Sequence, residues 1–252
     1  MKRWNLALIA SLTLVACKSK SPAAESASPK AEAAPKQAAE AAKKDEAAAQ
    51  PAQAKESPAM PPRPELLQPD KAKVKAPKKY TVKLETTQGD ILLDVHRDWS
   101  PKGADRFYNL VKVGYFDDVA FFRVISGFMA QVGIHDSREV NEAWRRFPIE
   151  DDPVKESNTR GMVSFATSGP NSRTTQFFIN FADNKNLDGM GFSPFAKVRD
   201  MKTVDALYAG YGEGAPRGDG PEQMRLRQEG NRYLRADFPK LDYIKKATVV
   251  ED

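Results

Sequence analysis

Polar and apolar side chains alternate over residues 81–86, which is the two-residue period of a strand that buries one face. Residues 88–90 include Gly89 and form a turn signal, and apolar positions resume over residues 91–95. The pattern predicts a β-hairpin.

Apolar residues recur at helical spacing in the segment after the hairpin. Ser100 is suited to cap a helix whose first position is Pro101, and Gly114 follows the last apolar position of the repeat. The repeating apolar residues are Ala104, Phe107, Tyr108 and Val111. Two more helices are predicted, at about 203–209 and from near Pro221 to just before Pro239.

Short apolar runs predict further strands at residues 120–132, 161–167, 176–181 and 243–250. Many short strands with few helices favour a mostly β fold. We expect an antiparallel sheet that closes into a barrel, with helices over the open ends.

Composition divides the chain into parts. Residues 18–79 consist mostly of Ala, Lys, Glu and Pro and contain no aromatic side chain. Such a segment buries too little apolar surface to offset the entropy of ordering it, so we predict a disordered tether. Residues 80–252 remain as one folded domain.

Charge argues against a nucleic-acid partner. The whole chain has a formal net charge of +5, but residues 80–252 contain 24 Lys and Arg against 26 Asp and Glu. The folded part therefore lacks the basic excess of a nucleic-acid-binding domain.

The first residues have the features of a secretory signal. Lys2 and Arg3 precede an apolar segment at 6–16 that is too short to span a bilayer. Residues 14–17, Leu-Val-Ala-Cys, resemble the bacterial lipobox, in which the Cys is acylated. The resemblance implies a lipoprotein signal peptide over residues 1–17 and a lipid on Cys17, which is the only cysteine. Lys18 then favours an outer-membrane anchor facing the periplasm. The alternative is an ordinary signal peptide with an incidental cysteine.

Few residues are suited to hydrolytic or metal chemistry. The two histidines, His96 and His135, lie far from any nucleophile motif, and we interpret both as surface residues. No cluster has metal-ligand spacing and no glycine-rich phosphate loop is present, so neither a metal nor a cofactor is predicted.

Two predicted strands carry unusual outer faces. In residues 176–181 one face is apolar, while the other places Phe178 between Gln176 and Asn180. In residues 121–131, Arg123 has the same parity as Met129 and Gln131. With a bulge at 126–127 to shift the register, these three side chains and Phe178 would share one outward face. An apolar groove with a few polar groups is typical of a peptide-binding site. A surface arginine beside a patch that a loop covers is the alternative.

Three blocks of sequence resemble the signatures of the cyclophilins, in the order of that family. Residues 122–131 (Phe-Arg-Val-Ile-Ser-Gly-Phe-Met-Ala-Gln) resemble the first and residues 164–179 the second. Residues 187–189 followed by 195–198 are similar to the third. The resemblance implies a closed eight-stranded antiparallel barrel capped by helices, with an outer groove that binds Xaa-Pro.

The resemblance also implies an activity: peptidyl-prolyl cis-trans isomerisation of envelope or periplasmic proteins by a monomer that assists their folding. Arg123 is the implied catalytic residue. The implied substrate-binding residues are Phe128, Met129, Gln131, Ala166, Thr167, Gln176, Phe178 and Leu187. The alternatives are a non-catalytic chaperone module that binds proline peptides and a purely structural envelope lipoprotein. Because binding proline alone needs only an apolar wall, the presence of both Arg123 and Gln131 favours the enzyme.

This chain departs from the family pattern at one wall of the pocket. Asn186 stands where the family has a Trp, and the segment at 190–194 is one residue longer than usual. The missing ring implies weak binding of cyclosporin, with Phe192 as the candidate replacement. Thr167 stands where an Asn is usual.

Overall fold

A computed structural model describes residues 63–250. The strands are β1 (Lys79–Thr86), β2 (Gly89–His96), β3 (Val119–Ala120), β4 (Arg123–Ile125), β5 (Met129–Val132), β6 (Met162–Phe165), β7 (Phe177–Asn180), β8 (Pro194–Val198) and β9 (Tyr243–Val250). The helices are α1 (Pro101–Lys112), α2 (Arg138–Arg145), α3 (Lys202–Asp205) and α4 (Gln223–Asp237), with 3-10 turns at Pro64–Leu67 and Lys185–Met190. The predictions for the signal peptide, for Cys17 and for the tether over residues 18–62 lie outside the described residues.

The strands form one curled antiparallel sheet in the order β3-β9-β1-β2-β8-β6-β7-β5-β4. The expected mostly β, antiparallel fold is confirmed, but the closed eight-stranded barrel is wrong. The described residues contain nine strands, and the sheet is an open half-barrel. Its edge strands β3 and β4 are separated in sequence only by Phe121 and Phe122. In the sheet order β3 has only β9 as a neighbour and β4 has only β5, so no ladder joins these two strands and the sheet stays open.

The first hairpin and helix follow the sequence pattern. β1 pairs with β2 in register from Lys79 opposite His96 to Thr86 opposite Gly89. The apolar positions of both strands are fully buried: Val82, Leu84, Ile91 and Leu93. Ser100 and Pro101 begin α1 as predicted, and Gly114 has a φ of +71°, in the left-handed region favoured after a helix.

Aromatic rings join α1 to the sheet. The ring of Phe107 lies 5.3 Å from that of Phe177 on β7 and 5.0 Å from that of Phe195 on β8. All three side chains are fully buried. The first contact is edge to face and the second is tilted, and such ring pairs add to the burial energy and orient the helix on the sheet.

The sequence pattern missed some elements and misjudged others. The helix α2 and the strand β8 were not predicted, and the helix expected at 203–209 is only the four-residue α3. α4 occupies the predicted range but is interrupted at Gly230, whose φ of +62° brings the backbone against Asp136. None of the helices within residues 63–250 is long and apolar enough to cross a membrane.

The folded part begins earlier than the predicted boundary at Tyr80. Residues 63–78, which we call the strap, pack along α1 and α2. Leu66 is only 3% exposed, and its carbonyl accepts a 2.8 Å hydrogen bond from Nε1 of the buried Trp144. The Asn109 side chain bonds both the N–H and the carbonyl of Val74, at 3.0 and 2.7 Å. Composition failed here because partners elsewhere in the chain satisfy the backbone of the strap.

Candidate active-site groove

A tight hairpin presents the charged residue of the candidate site. β4 pairs with β5 so that Arg123 lies opposite Gln131 and Ile125 opposite Met129. The N–H of Phe128 donates to the carbonyl of Ile125 at 3.0 Å, and Gly127 takes a φ of +71°. The expected bulge is therefore a turn. Direct pairing places Arg123 and Gln131 on one face without any register shift.

The same face continues into β7. Gln131 lies opposite Phe178, and Phe178 lies opposite Ser164 on β6. The expectation that Arg123, Gln131 and Phe178 share a face is confirmed. Asn180 is different, since it is fully buried and its amide donates to the carbonyl of Met162 at 2.9 Å.

Polar side chains form a chain of hydrogen bonds along this face. Nη1 of Arg123 donates to Oε1 of Gln131 at 2.9 Å, and Nε2 of Gln131 donates to Oε1 of Gln176 at 2.9 Å. The Gln131 side chain is buried, so both its ends need these partners. The amide of Gln131 thereby holds the guanidinium in place.

Glu213 holds the other edge of that guanidinium. Its two carboxylate oxygens accept bonds of 2.6 Å from Nε and from Nη2 of Arg123. Hydrogen bonding to Arg123, together with its positive charge and the N–H of Gly214, lowers the pKa of the Glu213 carboxyl. The sequence pattern missed Glu213, because a single acid in a loop of Gly and Pro residues carries no signal of its own.

An apolar cluster lies beside Arg123. Its buried members are Met129, Phe178 and Leu187, and its half-buried members are Ile125, Phe128, Ala166 and Phe192. The rings of Phe178 and Phe192 meet edge to face at 5.5 Å. Phe192 therefore occupies the wall where we expected it. Asn186 is exposed and is not among the residues that line the groove.

These groups line one groove of about 750 Å³. All nine predicted site residues of the folded domain belong to its lining: Arg123, Phe128, Met129, Gln131, Ala166, Thr167, Gln176, Phe178 and Leu187. The groove thus combines the Arg123 guanidinium, the amides of Gln131 and Gln176 and an apolar pocket, as a peptide-binding site requires.

Two of the lining residues are already engaged within the protein. The hydroxyl of Thr167 bonds the carbonyl of Gly169 and lies 2.8 Å from the hydroxyl of Ser172, so it shapes its own loop. The N–H of Ala166 donates to the carbonyl of Gln176 at 2.9 Å. The carbonyl oxygen of Ala166 is therefore the backbone group by which it can hold a peptide.

Neither histidine lines the groove. His96 stacks on Trp99 with ring centroids 3.9 Å apart. His135 is less exposed than predicted: burial lowers its pKa to about 4, and its Nδ1 accepts a 2.9 Å hydrogen bond from the N–H of Ser137.

Comparisons with known proteins agree with this geometry. The family model of "Cyclophilin type peptidyl-prolyl cis-trans isomerase/CLD" matches residues 81–223. Human "Peptidyl-prolyl cis-trans isomerase-like 3" is 37% identical over 131 residues, which cover 50% of this chain and 81% of that protein. "Peptidyl-prolyl cis-trans isomerase cypE" of Dictyostelium discoideum is 38% identical over 134 residues, covering 51% of this chain and 85% of that protein.

The fold is also similar to that of a solved structure. The cyclophilin type peptidyl-prolyl cis-trans isomerase of Cryptosporidium parvum aligns with a TM-score of 0.51 and 20% identity. The alignment covers 69% of this chain and 99% of that one.

Proposed function

The chain belongs to the cyclophilin family of peptidyl-prolyl cis-trans isomerases, and from this membership we propose that the groove around Arg123 is its catalytic site. From the first residues of the sequence we also propose that its clients are proteins of the bacterial cell envelope. The observation that carries the proposal is the position of the Arg123 guanidinium beside an apolar pocket. Its Cζ lies 6.0 Å from the ring centroid of Phe128, and its Nη1 lies 3.9 Å from Sδ of Met129.

The reaction needs no acid, base or nucleophile. Rotation about an Xaa-Pro bond removes amide resonance, which sets a barrier of ~18–20 kcal/mol. In the twisted transition state the proline nitrogen becomes pyramidal and regains its lone pair. A group that donates a hydrogen bond to that lone pair, or to the neighbouring carbonyl oxygen, stabilises the twisted state over both planar states.

The guanidinium of Arg123 is suited to this task. One N–H of each Nη group is already engaged, with Gln131 at Nη1 and with Glu213 at Nη2. Each Nη keeps a second N–H, and sulfur is only a weak competing acceptor at Nη1. Because both flanking partners fix its plane, little reorganisation is needed when the substrate twists.

The remaining lining groups bind and orient the peptide. Phe128, Met129, Phe178 and Leu187 provide a dry pocket for the proline ring. The Ala166 carbonyl and the amide of Gln176 are suited to hold the flanking backbone. Excluding water strengthens the electrostatic contact that Arg123 makes with the twisted bond.

The cell-envelope assignment rests on the first residues of the sequence. A signal peptide over residues 1–17 and an acylated Cys17 would place the domain on a membrane surface, and Lys18 favours the outer membrane on its periplasmic side. Mass spectrometry of the purified protein tests this directly. A lipid on Cys17 is expected, and a chain without it would show that the lipobox interpretation is wrong.

An isomerisation assay with the purified chain and an Xaa-Pro peptide tests the activity. We expect Arg123→Ala to lower kcat/KM by about 100-fold, as loss of a single transition-state donor does elsewhere. Arg138→Ala is the matched control, since Arg138 pairs with Glu142 on the exposed face of α2 and does not line the groove. Binding of the peptide without turnover by the parent would instead support the non-catalytic chaperone module. Equal rates for Arg123→Ala and the parent would contradict the role of Arg123.

A further inference from the structure

The groove has a feature that binding of proline does not use. Among the described residues that line it, every charged side chain is an arginine: Arg123, Arg145, Arg217 and Arg227. Glu213 forms an ion pair with Arg123, and the charge of Arg217 also acts on its carboxylate. Acidic residues outnumber basic ones over residues 80–252, so this is a local concentration of positive charge on a domain that is otherwise slightly negative.

Two of these arginines come from helices that pack together. Arg145 ends α2, and Arg227 lies in the N-terminal half of α4. The side-chain amide of Asn141 on α2 donates to the backbone carbonyl of Arg227 at 3.5 Å, which ties the two helices at this point. Burial lowers the pKa of Arg227, and the positive charge of Arg145 lowers it further. The two guanidiniums are therefore close enough to repel each other.

A small side pocket of about 30 Å³ lies between them. Thr174 and Gln176 also line it. Oε1 of Gln176 is already bonded to Gln131, so the side-chain group that Gln176 can offer is its NH2. The lining thus includes three side-chain donor groups, the guanidiniums of Arg145 and Arg227 and the Gln176 NH2, and it includes no carboxylate.

Local structure explains only part of this arrangement. Arg145 lies in the last turn of α2, where a positive charge interacts favourably with the helix dipole. Arg227 lies at the other end of its helix, where the dipole offers no such benefit. Within residues 63–250 no carboxylate pairs with either guanidinium. Placing two like charges together without a counterion is unfavourable unless an anion binds there.

We propose that this end of the groove binds the carboxylate of a Glu or Asp close to the prolyl bond of the client polypeptide. The inference rests on the proposed function, because it names the class of Xaa-Pro sequence that the same groove prefers. The apolar pocket beside Arg123 holds the proline ring, and Arg145 with Arg227 holds an acidic side chain of the flanking peptide. Clients with acidic residues near proline are then isomerised faster than neutral or basic ones.

Peptide series test the proposal. Short peptides with one Xaa-Pro bond and both ends blocked carry Glu, Gln or Lys at each position around the proline, and kcat/KM is measured in about 0.15 M salt. At one position we expect kcat/KM of the Glu peptide to exceed that of the Gln peptide by about five-fold, and the Lys peptide to have the lowest value. A partly exposed ion pair gives an effect of this size. In the double variant Arg145→Gln/Arg227→Gln, the ratio of kcat/KM for the Glu peptide to kcat/KM for the Gln peptide should fall to within about two-fold of one.

Matched controls separate this site from a general charge effect. Arg146 and Arg232 are exposed arginines of the same two helical segments that do not line the groove. Arg146→Gln/Arg232→Gln removes the same charge and should keep the ratio of the parent. Thermal melting monitors folding of each variant. If the double variant fails to fold, the single variant Arg145→Gln replaces it, because Arg145 is exposed. This variant should at least halve the ratio of kcat/KM for the Glu peptide to that for the Gln peptide.

The outcomes are distinct. A ratio near one at every position of the parent overturns the inference, as does a preference for Glu that survives in the double variant. If the parent turns over the Gln peptides but shows no preference for Glu, the proposed function stands and only this inference fails. If no peptide is turned over, both fail.

Discussion

Glu213 and Arg123 lie 90 residues apart in the chain, yet the carboxylate of one meets the Nε–Nη2 edge of the other through two bonds of 2.6 Å. Both side chains are partly exposed, so the ion pair contributes little to the free energy of unfolding. Its effect is on position: the paired edge is fixed, and the other nitrogen, Nη1, extends to Gln131. Glu213 is therefore a positioning residue for Arg123.

Replacing Glu213 with Gln should lower kcat/KM by about ten-fold, with most of the change in kcat. An amide has only one acceptor oxygen, and its NH2 group would face an N–H of Arg123, so the guanidinium loses its fixed plane. Asp219→Asn, in the same loop at an exposed position, is the control and should behave as the parent. Parental kinetics for Glu213→Gln would show that Arg123 needs no second partner.

The pH profile should report on the same pair. Hydrogen bonding to Arg123 lowers the pKa of Glu213 below its ordinary value of 4.5, so the carboxylate form persists to more acidic pH. Because the pKa of Glu213 is lowered in the folded state, the ion pair is intact at every pH above the ordinary carboxyl pKa. It is lost only as the pH falls through the lowered pKa of the folded state. We expect kcat/KM to be constant from roughly pH 5 to pH 8 and to decline below that range.

Isomerisation rates at constant ionic strength measure this profile, and Glu213→Gln should lack the acidic decline. A loss of activity between pH 7 and pH 5 would indicate that a different group controls the site.

The strap should contribute to stability through one buried leucine. Leu66→Ala should lower the free energy of unfolding by about 2–3 kcal/mol, because it leaves a cavity against α2. The adjacent Leu67 is 42% exposed, so Leu67→Ala should change the same quantity by less than about 0.5 kcal/mol. Urea denaturation of both variants measures the difference. Equal small effects would mean that the strap adds nothing to the fold.

The missing Trp should weaken cyclosporin binding by at least about ten-fold relative to a variant that restores it. Asn186 is exposed and does not line the groove, while Phe192 supplies a ring against Phe178. Asn186→Trp should therefore tighten inhibition, whereas catalysis should change less because the proline pocket is already complete. Titration of the drug against isomerase activity measures this. Tight inhibition of the parent would show that Phe192 replaces the missing ring in full.

The sequence predicted those parts of the molecule that local patterns determine. The alternation in β1 and β2 and the start of α1 at Ser100 and Pro101 follow from neighbours in the chain and were found. The Ser100 hydroxyl, however, donates to Asp152 and makes no capping bond. The prediction that Arg123 and Phe178 share one face of the sheet was also correct. A turn replaces the expected bulge, but the side chains still alternate between the two faces as predicted.

Contacts between residues far apart in the sequence could not be predicted from such patterns. Glu213 has no periodicity or motif, and only the fold brings it to Arg123. The strap has the composition of a disordered segment, yet Trp144 and Asn109 supply the partners that its backbone needs. The closed barrel failed for a similar reason, since local patterns do not show which strands lie at the open edges of a sheet.

The place of β9 in the sheet has a consequence for how the protein is made. β9 lies between β1 and β3 and pairs with both, although β1 begins at Lys79 and β9 only at Tyr243. On a ribosome, β1 therefore has β2 as its only neighbour while the intervening residues are synthesised. Its open edge could pair with other nascent chains during that time. This member of the cyclophilin family thus completes its own sheet only after nearly all of residues 63–250 have emerged.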